Sequence, residues 1–183
     1  MKVFTNYLSA ILLMSVLLIG CKDDKEVVPK STISYDGSDY DLSNAVLLDY
    51  GRYPPHEGSY QELFLSSPDV VIREKAGKID SVYGTGHAIF FRLFTAGIGE
   101  LAEGEYTFDF SNGPFESGSF VYSYAVFNAN FVLRNQVAHV MIAGTVTVKK
   151  EKTDYRITFD CVEDTGKHIN GFFKGPLKVY DEK

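Results

Sequence analysis

Three runs near the carboxyl end of the chain decide the fold: Gly144-Thr-Val-Thr-Val148, Tyr155-Arg-Ile-Thr-Phe159 and Gly171-Phe-Phe-Lys-Gly175. Apolar and polar residues alternate in the first two runs, and Gly171, Phe173 and Gly175 share one face of the third, which is typical of β-strands with one buried face. Turn-forming residues separate the runs, at 151–154 and 164–166. The pattern predicts a C-terminal β-meander of three strands, Ala138–Lys150, Asp154–Val162 and His168–Tyr180.

The middle strand of this meander shows which face is buried. Tyr155, Ile157, Phe159 and Cys161 share one side, so we expect them all in the core. A cysteine in that row is predicted to be a small buried apolar residue and not a reactive thiol. Gly171 is a strand glycine, which usually marks close packing.

Period-two runs continue back to Thr32, and no stretch keeps helical apolar spacing for three turns. The sequence predicts an all-β domain of about ten strands, folded as an antiparallel sandwich or a flattened barrel. Segment 67–80 fits a strand, a short helix or a loop. The remaining predicted strands are Ile33–Tyr35, Tyr40–Leu42, Ala45–Tyr50, Tyr60–Ser66, His87–Thr95, Glu105–Phe110 and Ser119–Ala129.

Two aromatic segments carry additional predictions. The run from Ala88 to Phe94 is apolar on both faces, which indicates a strand that is covered on both sides. The second segment runs from Phe115 to Phe127. Alternation places four of its side chains on one face, which we expect to be a core face: Phe120, Tyr122, Tyr124 and Val126.

The amino terminus has the layout of a secretion signal. Lys2 precedes an apolar run, Tyr7–Ile19, that is too short to span a bilayer as a helix. The run ends in Leu18-Ile19-Gly20-Cys21. This ending resembles the bacterial lipobox, which implies that residues 1–20 are a removed signal peptide and that Cys21 carries the lipid.

Charged residues follow that cysteine. Lys22, Asp23 and Asp24 resemble the acidic export tag of surface lipoproteins in the Bacteroidota, which implies display on the outer face of the outer membrane. A solvated tether is the other interpretation of these charges. In other bacterial groups an Asp just after the cysteine implies retention at the inner membrane, and a periplasm-facing protein is the alternative to surface display. In both cases residues 21–31 form a flexible acidic tether, and residues 32–183 form a single domain.

The closing runs also resemble those of the small all-β lipoproteins of the Bacteroidota, some of which are lipocalin-like barrels. The resemblance covers only the last 40 residues or so. It implies a class of fold and no particular activity.

Charge and motif content argue against several functions. The net charge is −6 and no basic stripe is present, so nucleic-acid binding is not expected. The histidines at 56, 87, 139 and 168 lack zinc-ligand spacing, and the acidic turn 36–41 lacks the spacing of a calcium loop. No nucleophile motif is present either, so we expect a protein that is not an enzyme and holds neither metal nor cofactor.

One loop stands out as a candidate binding segment. It contains Tyr50, Arg52, Tyr53, His56 and Tyr60, and rings with polar tips beside charged groups are typical of sugar or protein recognition. The alternative is that these tyrosines pack down on the rim of the domain and hold a long loop in place.

Three functions remain open at this point. The first is a membrane-anchored binding module for a glycan or a protein ligand. The second is a lipocalin-like carrier of an apolar small molecule, suggested by the many Phe and Tyr residues. The third is a structural subunit of an envelope or fimbrial assembly, joined through an unpaired edge strand.

Overall fold

The computed structural model describes residues 28–54, 58–133 and 136–183. These residues form thirteen β-strands, and no helix occurs among them. The strands are β1 Thr32–Tyr35, β2 Ser38–Asp41, β3 Asn44–Arg52, β4 Ser59–Ser66, β5 Val71–Lys75, β6 Lys78–Tyr83, β7 Thr85–Thr95, β8 Gly104–Phe108, β9 Ser119–Asn130, β10 Ala138–Glu151, β11 Asp154–Glu163, β12 His168–Gly175 and β13 Lys178–Asp181.

Eleven of the strands form one large curled sheet, a half-barrel, in the order β13-β3-β4-β7-β9-β8-β10-β11-β12-β1-β2. This confirms the predicted all-β class and the flattened-barrel or sandwich architecture. The sheet is mixed, however, and not purely antiparallel, because β13 runs parallel to β3 and β8 runs parallel to β9. Strands β5 and β6 form a separate two-stranded hairpin.

The C-terminal meander is present with the predicted strand order β10-β11-β12. The prediction of one final strand, His168–Tyr180, was wrong, because the chain leaves the sheet at Pro176 and Leu177. Proline has no backbone N–H to donate to a neighbouring strand, and it therefore favours a break at this point. After the break, β13 pairs with β3 at the opposite edge of the sheet.

Segment 67–80, left open by the sequence, contributes to a β-hairpin. Strands β5 and β6 are joined by Ala76 and Gly77, whose φ angles are 53° and 79°. Two successive left-handed residues are the signature of a tight hairpin turn whose twist matches that of the strands. Asp36 and Gly37 form the same kind of turn between β1 and β2, as their sequence predicts.

The main core fills the concave side of the sheet. Tyr155, Ile157, Phe159 and Cys161 are all buried there, as predicted. Burial raises the pKa of the Cys161 thiol to about 12, so the thiol stays protonated and unreactive.

Strand β7 is covered on both faces, as its composition predicts. Ile89, Phe91 and Leu93 point into the main core, while Ala88 and Phe94 belong to two smaller clusters on the other face. All three clusters are built from side chains between Ile33 and Leu177. The described strands and all three clusters therefore lie within residues 28–183, which we expect to fold as a unit.

The prediction that Phe120, Tyr122, Tyr124 and Val126 share one core face was wrong for the two tyrosines, while Phe120 and Val126 are buried, but in different clusters. Tyr122 has a φ of 43° and the β7–β9 register shifts between Phe90 and Arg92, so β9 bulges here. A bulge inserts one residue and moves the following side chains to the opposite face. Phe120 is therefore in the main core, whereas Tyr122 and Tyr124 are exposed on the other face, by 60% and 37%.

Candidate functional site

The outer face of β3, β4, β7 and β9 is the face turned away from the main core, and it carries an unusual group of side chains. Glu62 on β4 is directly opposite Arg92 on β7. Tyr50, Tyr60 and Tyr122 surround this pair. We call these five residues the Glu62 cluster.

The Glu62 carboxylate is the centre of the cluster because three side chains donate hydrogen bonds to it. Tyr50 Oη donates to Oε2 at 3.2 Å, and Tyr60 Oη donates to Oε1. Arg92 approaches Oε1 with both Nε, at 3.3 Å, and Nη2, at 3.2 Å. The carboxylate is nearly buried, with 10% of its side chain exposed, and its acceptor capacity is therefore largely used within the protein.

Ring stacking fixes the same residues in place. The rings of Tyr50 and Tyr60 stack with centroids 4.9 Å apart and an interplanar angle of 17°. The Arg92 guanidinium lies 5.7 Å from the centroid of Tyr60 and 5.8 Å from that of Tyr122. A guanidinium held by a carboxylate and two aromatic faces is confined to one orientation.

The two phenols of the cluster remain protonated over the physiological pH range. Burial, followed by the nearby Glu62 carboxylate, raises the pKa of Tyr50 to about 12. The pKa of Tyr60 is raised further, by burial and by its hydrogen bond to Glu62. Both hydroxyls therefore act as donors to Glu62.

A pocket of about 420 Å³ adjoins the cluster, between the outer face of the sheet and the β5–β6 hairpin. Its floor is provided by the sheet side chains Leu48, Tyr50, Phe64, Phe90, Tyr124 and Val126, with Ala88 between them. Its roof is provided by the hairpin side chains Ile72, Ile79 and Val82. Phe131, Gln136 and Glu182 complete the wall. We call this space the hairpin pocket; its size lies within the range of about 300–1,000 Å³ that is usual for small-molecule sites.

Polar contacts attach the tip of the hairpin to the carboxyl end of the chain. Tyr180 Oη donates to Glu74 Oε1 at 2.6 Å, and Lys178 Nζ contacts the same oxygen. Lys78 Nζ lies 3.0 Å from Glu182 Oε2. Exposed ion pairs of this kind contribute little to stability, so the hairpin is held over the pocket more weakly than the strands of the main sheet are held together.

The base of the hairpin is fixed more firmly. Asn44 Nδ2 donates to the carbonyl oxygens of Ser67 and Val70, at 3.1 and 3.0 Å. Gly84 cannot be replaced without strain, because its φ is 104° and a Cβ would meet the Asp69 carbonyl oxygen at 2.1 Å. The position of the hairpin above the sheet is therefore set at its root.

The candidate binding loop is only partly brought together. Tyr50 and Tyr60 belong to the Glu62 cluster, whereas Tyr53 packs on Phe94, with ring centroids 4.6 Å apart, in the way the rim interpretation predicts. Arg52 is exposed at the end of β3. His56 lies outside the described residues, as do Cys21, Lys22, Asp23 and Asp24.

Four residues of this surface were not predicted from the sequence as site residues: Glu62, Arg92, Tyr122 and Tyr124. Glu62 and Arg92 are 30 positions apart and meet only because β4 pairs with β7 in this register. Tyr122 reaches the cluster only because of the bulge in β9. Glu62 and Tyr60 share a strand and are two positions apart, and this was the one signal that could have identified the carboxylate.

Two of the histidines lie in a second aromatic cluster, at one end of the half-barrel. Tyr40 stacks on His87 with centroids 4.1 Å apart, and Tyr35 Oη is 3.0 Å from His139 Nδ1. Phe127 lies between the two pairs, 4.7 Å from the Tyr35 ring centroid and 5.1 Å from that of Tyr40. These side chains are packed against one another, and their role is to join β1 and β2 to β7, β9 and β10.

Comparisons with known proteins add no relative, because no family model, no curated protein and no solved structure matches this chain. Within residues 28–54, 58–133 and 136–183, no three His, Cys, Asp or Glu side chains are grouped so as to hold a metal ion. The same part of the chain contains no helix with the length and apolar character needed to cross a membrane.

Proposed function

We propose that this protein is an outer-membrane-anchored lipoprotein that binds a small ligand on its outer face, in the hairpin pocket beside the Glu62 cluster. The anchor is inferred from the lipobox resemblance at Cys21, and the surface position from the acidic residues that follow it. The proposal makes the protein a binding module and assigns it no catalysis.

The observation that carries the proposal is the composition of the hairpin pocket. Eleven of its thirteen lining residues are aliphatic or aromatic, and Tyr50, Phe90 and Tyr124 present rings to it. Binding pockets for small molecules combine such a lining with a few polar groups that fix orientation. Tyr50 belongs both to the pocket lining and to the Glu62 cluster, so the polar groups of the cluster lie at the edge of the pocket. The main core is filled by side chains such as Leu47 and Phe91, so an apolar ligand is expected on the outer face and not inside the half-barrel.

Ligand-observed NMR on residues 28–183 tests this proposal. The screen contains amphipathic small molecules and oligosaccharides, and each hit is measured again with Ile79→Glu, which places a charge in the roof of the pocket. The matched control is Ile98→Glu, the same change at a side chain that is 50% exposed in a loop away from the pocket. We expect at least a tenfold loss of affinity for Ile79→Glu alone. Hits that bind both variants equally well would disprove the pocket assignment.

A second candidate, glycan binding, is favoured by the exposed rings of the cluster. Tyr122 is 60% exposed beside Arg92, and Tyr50 is 39% exposed, so the open side of the cluster presents flat rings next to a hydrogen-bond donor. Sugars stack on such rings. A glycan array probed with the chain and with a variant carrying Ala at positions 50, 60 and 122 separates the two candidates. Unchanged glycan binding by the triple variant would rule out this surface.

Surface display has its own test. Intact cells are treated with a protease, and the amount of full-length protein that remains is compared between the native chain and a variant with Asp23→Ala and Asp24→Ala. If the acidic tag directs export, the native chain is degraded and the variant is protected. Protection of both would place the native protein on the periplasmic side.

A further inference from the structure

We infer that the ligand of the hairpin pocket is an amphipathic molecule with an anionic head, whose apolar body lies under the β5–β6 hairpin while its head binds Arg92. This inference rests on the proposed function and narrows it to one class of ligand.

The position of Arg92 relative to the pocket is the first argument. Phe90 lines the pocket floor, and Arg92 follows it two residues later on the same face of β7. Residues two apart on a strand are separated by about 7 Å. A head group bound to the guanidinium would therefore lie about 7 Å from an apolar body that packs on Phe90 and Tyr124.

The unused hydrogen-bonding capacity of Arg92 is the second argument. Only Nε and Nη2 contact Glu62, and the side chain as a whole is 37% exposed. A guanidinium has five N–H donors in a fixed plane, so donors remain at the open side of the cluster. Glu62 is already occupied by Tyr50, Tyr60 and Arg92, and it has little capacity left for a cationic or hydroxyl-rich head.

The donors of Arg92 are, in addition, held in a fixed orientation. Glu62 and the rings of Tyr60 and Tyr122 fix the guanidinium before any ligand binds. Planar, oriented guanidinium groups bind carboxylates through two parallel hydrogen bonds, and fixing the group in advance lowers the entropic cost of binding. A carboxylate or a similar planar anion is the head group that this geometry suits best.

Three probes that share a twelve-carbon chain and differ only in the head test the inference: dodecanoate, dodecyltrimethylammonium and dodecyl maltoside. Each is titrated calorimetrically into residues 28–183, below its micelle concentration. We expect dodecanoate to bind at least tenfold more tightly than the other two probes. Arg92→Gln should remove this preference, and Arg92→Lys, which keeps the charge without the planar fork, should restore part of it.

The outcomes separate the inference from the function on which it rests. Equal binding of the three heads, with Ile79→Glu weakening all of them, would overturn the anionic-head assignment and leave the pocket intact. Binding of none of the probes, together with a failed small-molecule screen, would overturn the proposed function as well. Near-ultraviolet circular dichroism of the tyrosines verifies that each variant keeps its fold.

Discussion

Glu62 and Arg92 form a directly opposed cross-strand pair, with Nη2 and Oε1 3.2 Å apart on the outer face of β4 and β7. The pair lies beside an apolar pocket, and its guanidinium packs on the rings of Tyr60 and Tyr122, so its charges are partly shielded from water. Cross-strand pairs of opposite charge stabilise a sheet modestly, and shielding from water strengthens the attraction. The pair therefore supports the sheet and also presents a fixed guanidinium to the outside.

Removing the carboxylate from this pair should destabilise the domain. In Glu62→Ala, two phenol hydroxyls and a guanidinium lose their common acceptor, and we expect a loss of about 2 kcal/mol in the free energy of unfolding. Glu105→Ala, at an exposed position of β8, is the matched control and should lose less than about 0.5 kcal/mol. Urea unfolding of both variants measures the difference. Equal losses would mean that the cluster contributes nothing to stability.

Gly171 should tolerate no side chain. A Cβ at this position would lie 2.4 Å from the ring of Phe159 and 2.4 Å from the Thr32 carbonyl oxygen. We expect Gly171→Ala to cost roughly 3 kcal/mol, since both neighbours are fixed by the meander and by β1. Gly77→Ala is the control, because its φ of 79° is strained for alanine but nothing lies within 4 Å of the added Cβ. It should cost about 1 kcal/mol. A smaller thermal shift for Gly171→Ala than for Gly77→Ala would contradict the packing described.

Glu163 should make the domain sensitive to acid. Burial alone would raise its pKa, but donors from Thr165 and Lys167 outweigh burial and lower the pKa from 4.5 to about 2. A carboxyl group whose pKa is lower in the folded state stabilises the fold above its unfolded pKa, and this contribution is lost as the pH falls. The destabilisation caused by Glu163→Gln should therefore be largest near pH 7 and should shrink between pH 4.5 and pH 2. A difference between the two proteins that stays constant across this window would show that the carboxylate is not specially stabilised.

The two cysteines of the chain provide a matched test of the lipid anchor. We expect Cys21 to carry acyl chains and Cys161 to carry none, because Cys161 is buried in the core with its thiol protonated. Metabolic labelling with a fatty acid should mark the native chain and Cys161→Ala but not Cys21→Ala. Membrane fractionation should follow the label, since several acyl chains together hold a protein firmly on a bilayer. If labelling depends on Cys161, or if the native chain is not labelled, the proposal that Cys21 carries a lipid anchor would be disproved.

The meander could be predicted from the sequence because each of its strands has one buried and one exposed face. Apolar residues then recur at every second position, which is also the period at which side chains return to the same face of a strand. Tyr155 to Cys161 is the clearest case, and the Asp36-Gly37 turn is another. The faces of strand β9 could not be predicted in the same way, because the bulge at Tyr122 shifts the alternation. The residues around Tyr122 contain no pattern that predicts this bulge. The break at Pro176 was missed for a different reason, because an apolar pattern continues across it.

The candidate site was predicted only in part, and the reason lies in strand pairing. Tyr50 and Tyr60 attracted attention because they lie close together in a polar and aromatic loop. Glu62 and Arg92 become neighbours only through the register of β4 on β7, and one sequence does not specify that register. The pocket itself depends on the β5–β6 hairpin folding over the outer face, and a contact of that kind leaves no local pattern.

A ligand that binds between the β5–β6 hairpin and the outer face of the sheet should perturb the residues that line this space. Backbone amide NMR of isotope-labelled residues 28–183, titrated with dodecanoate, tests this placement of the ligand most directly. We expect the largest chemical-shift changes at Ile72, Ile79, Phe90 and Tyr124, and a second group of changes at Arg92. The meander residues Ile157 and Phe173 should stay unchanged. Shift changes centred on the meander, or spread evenly over the whole domain, would contradict that placement.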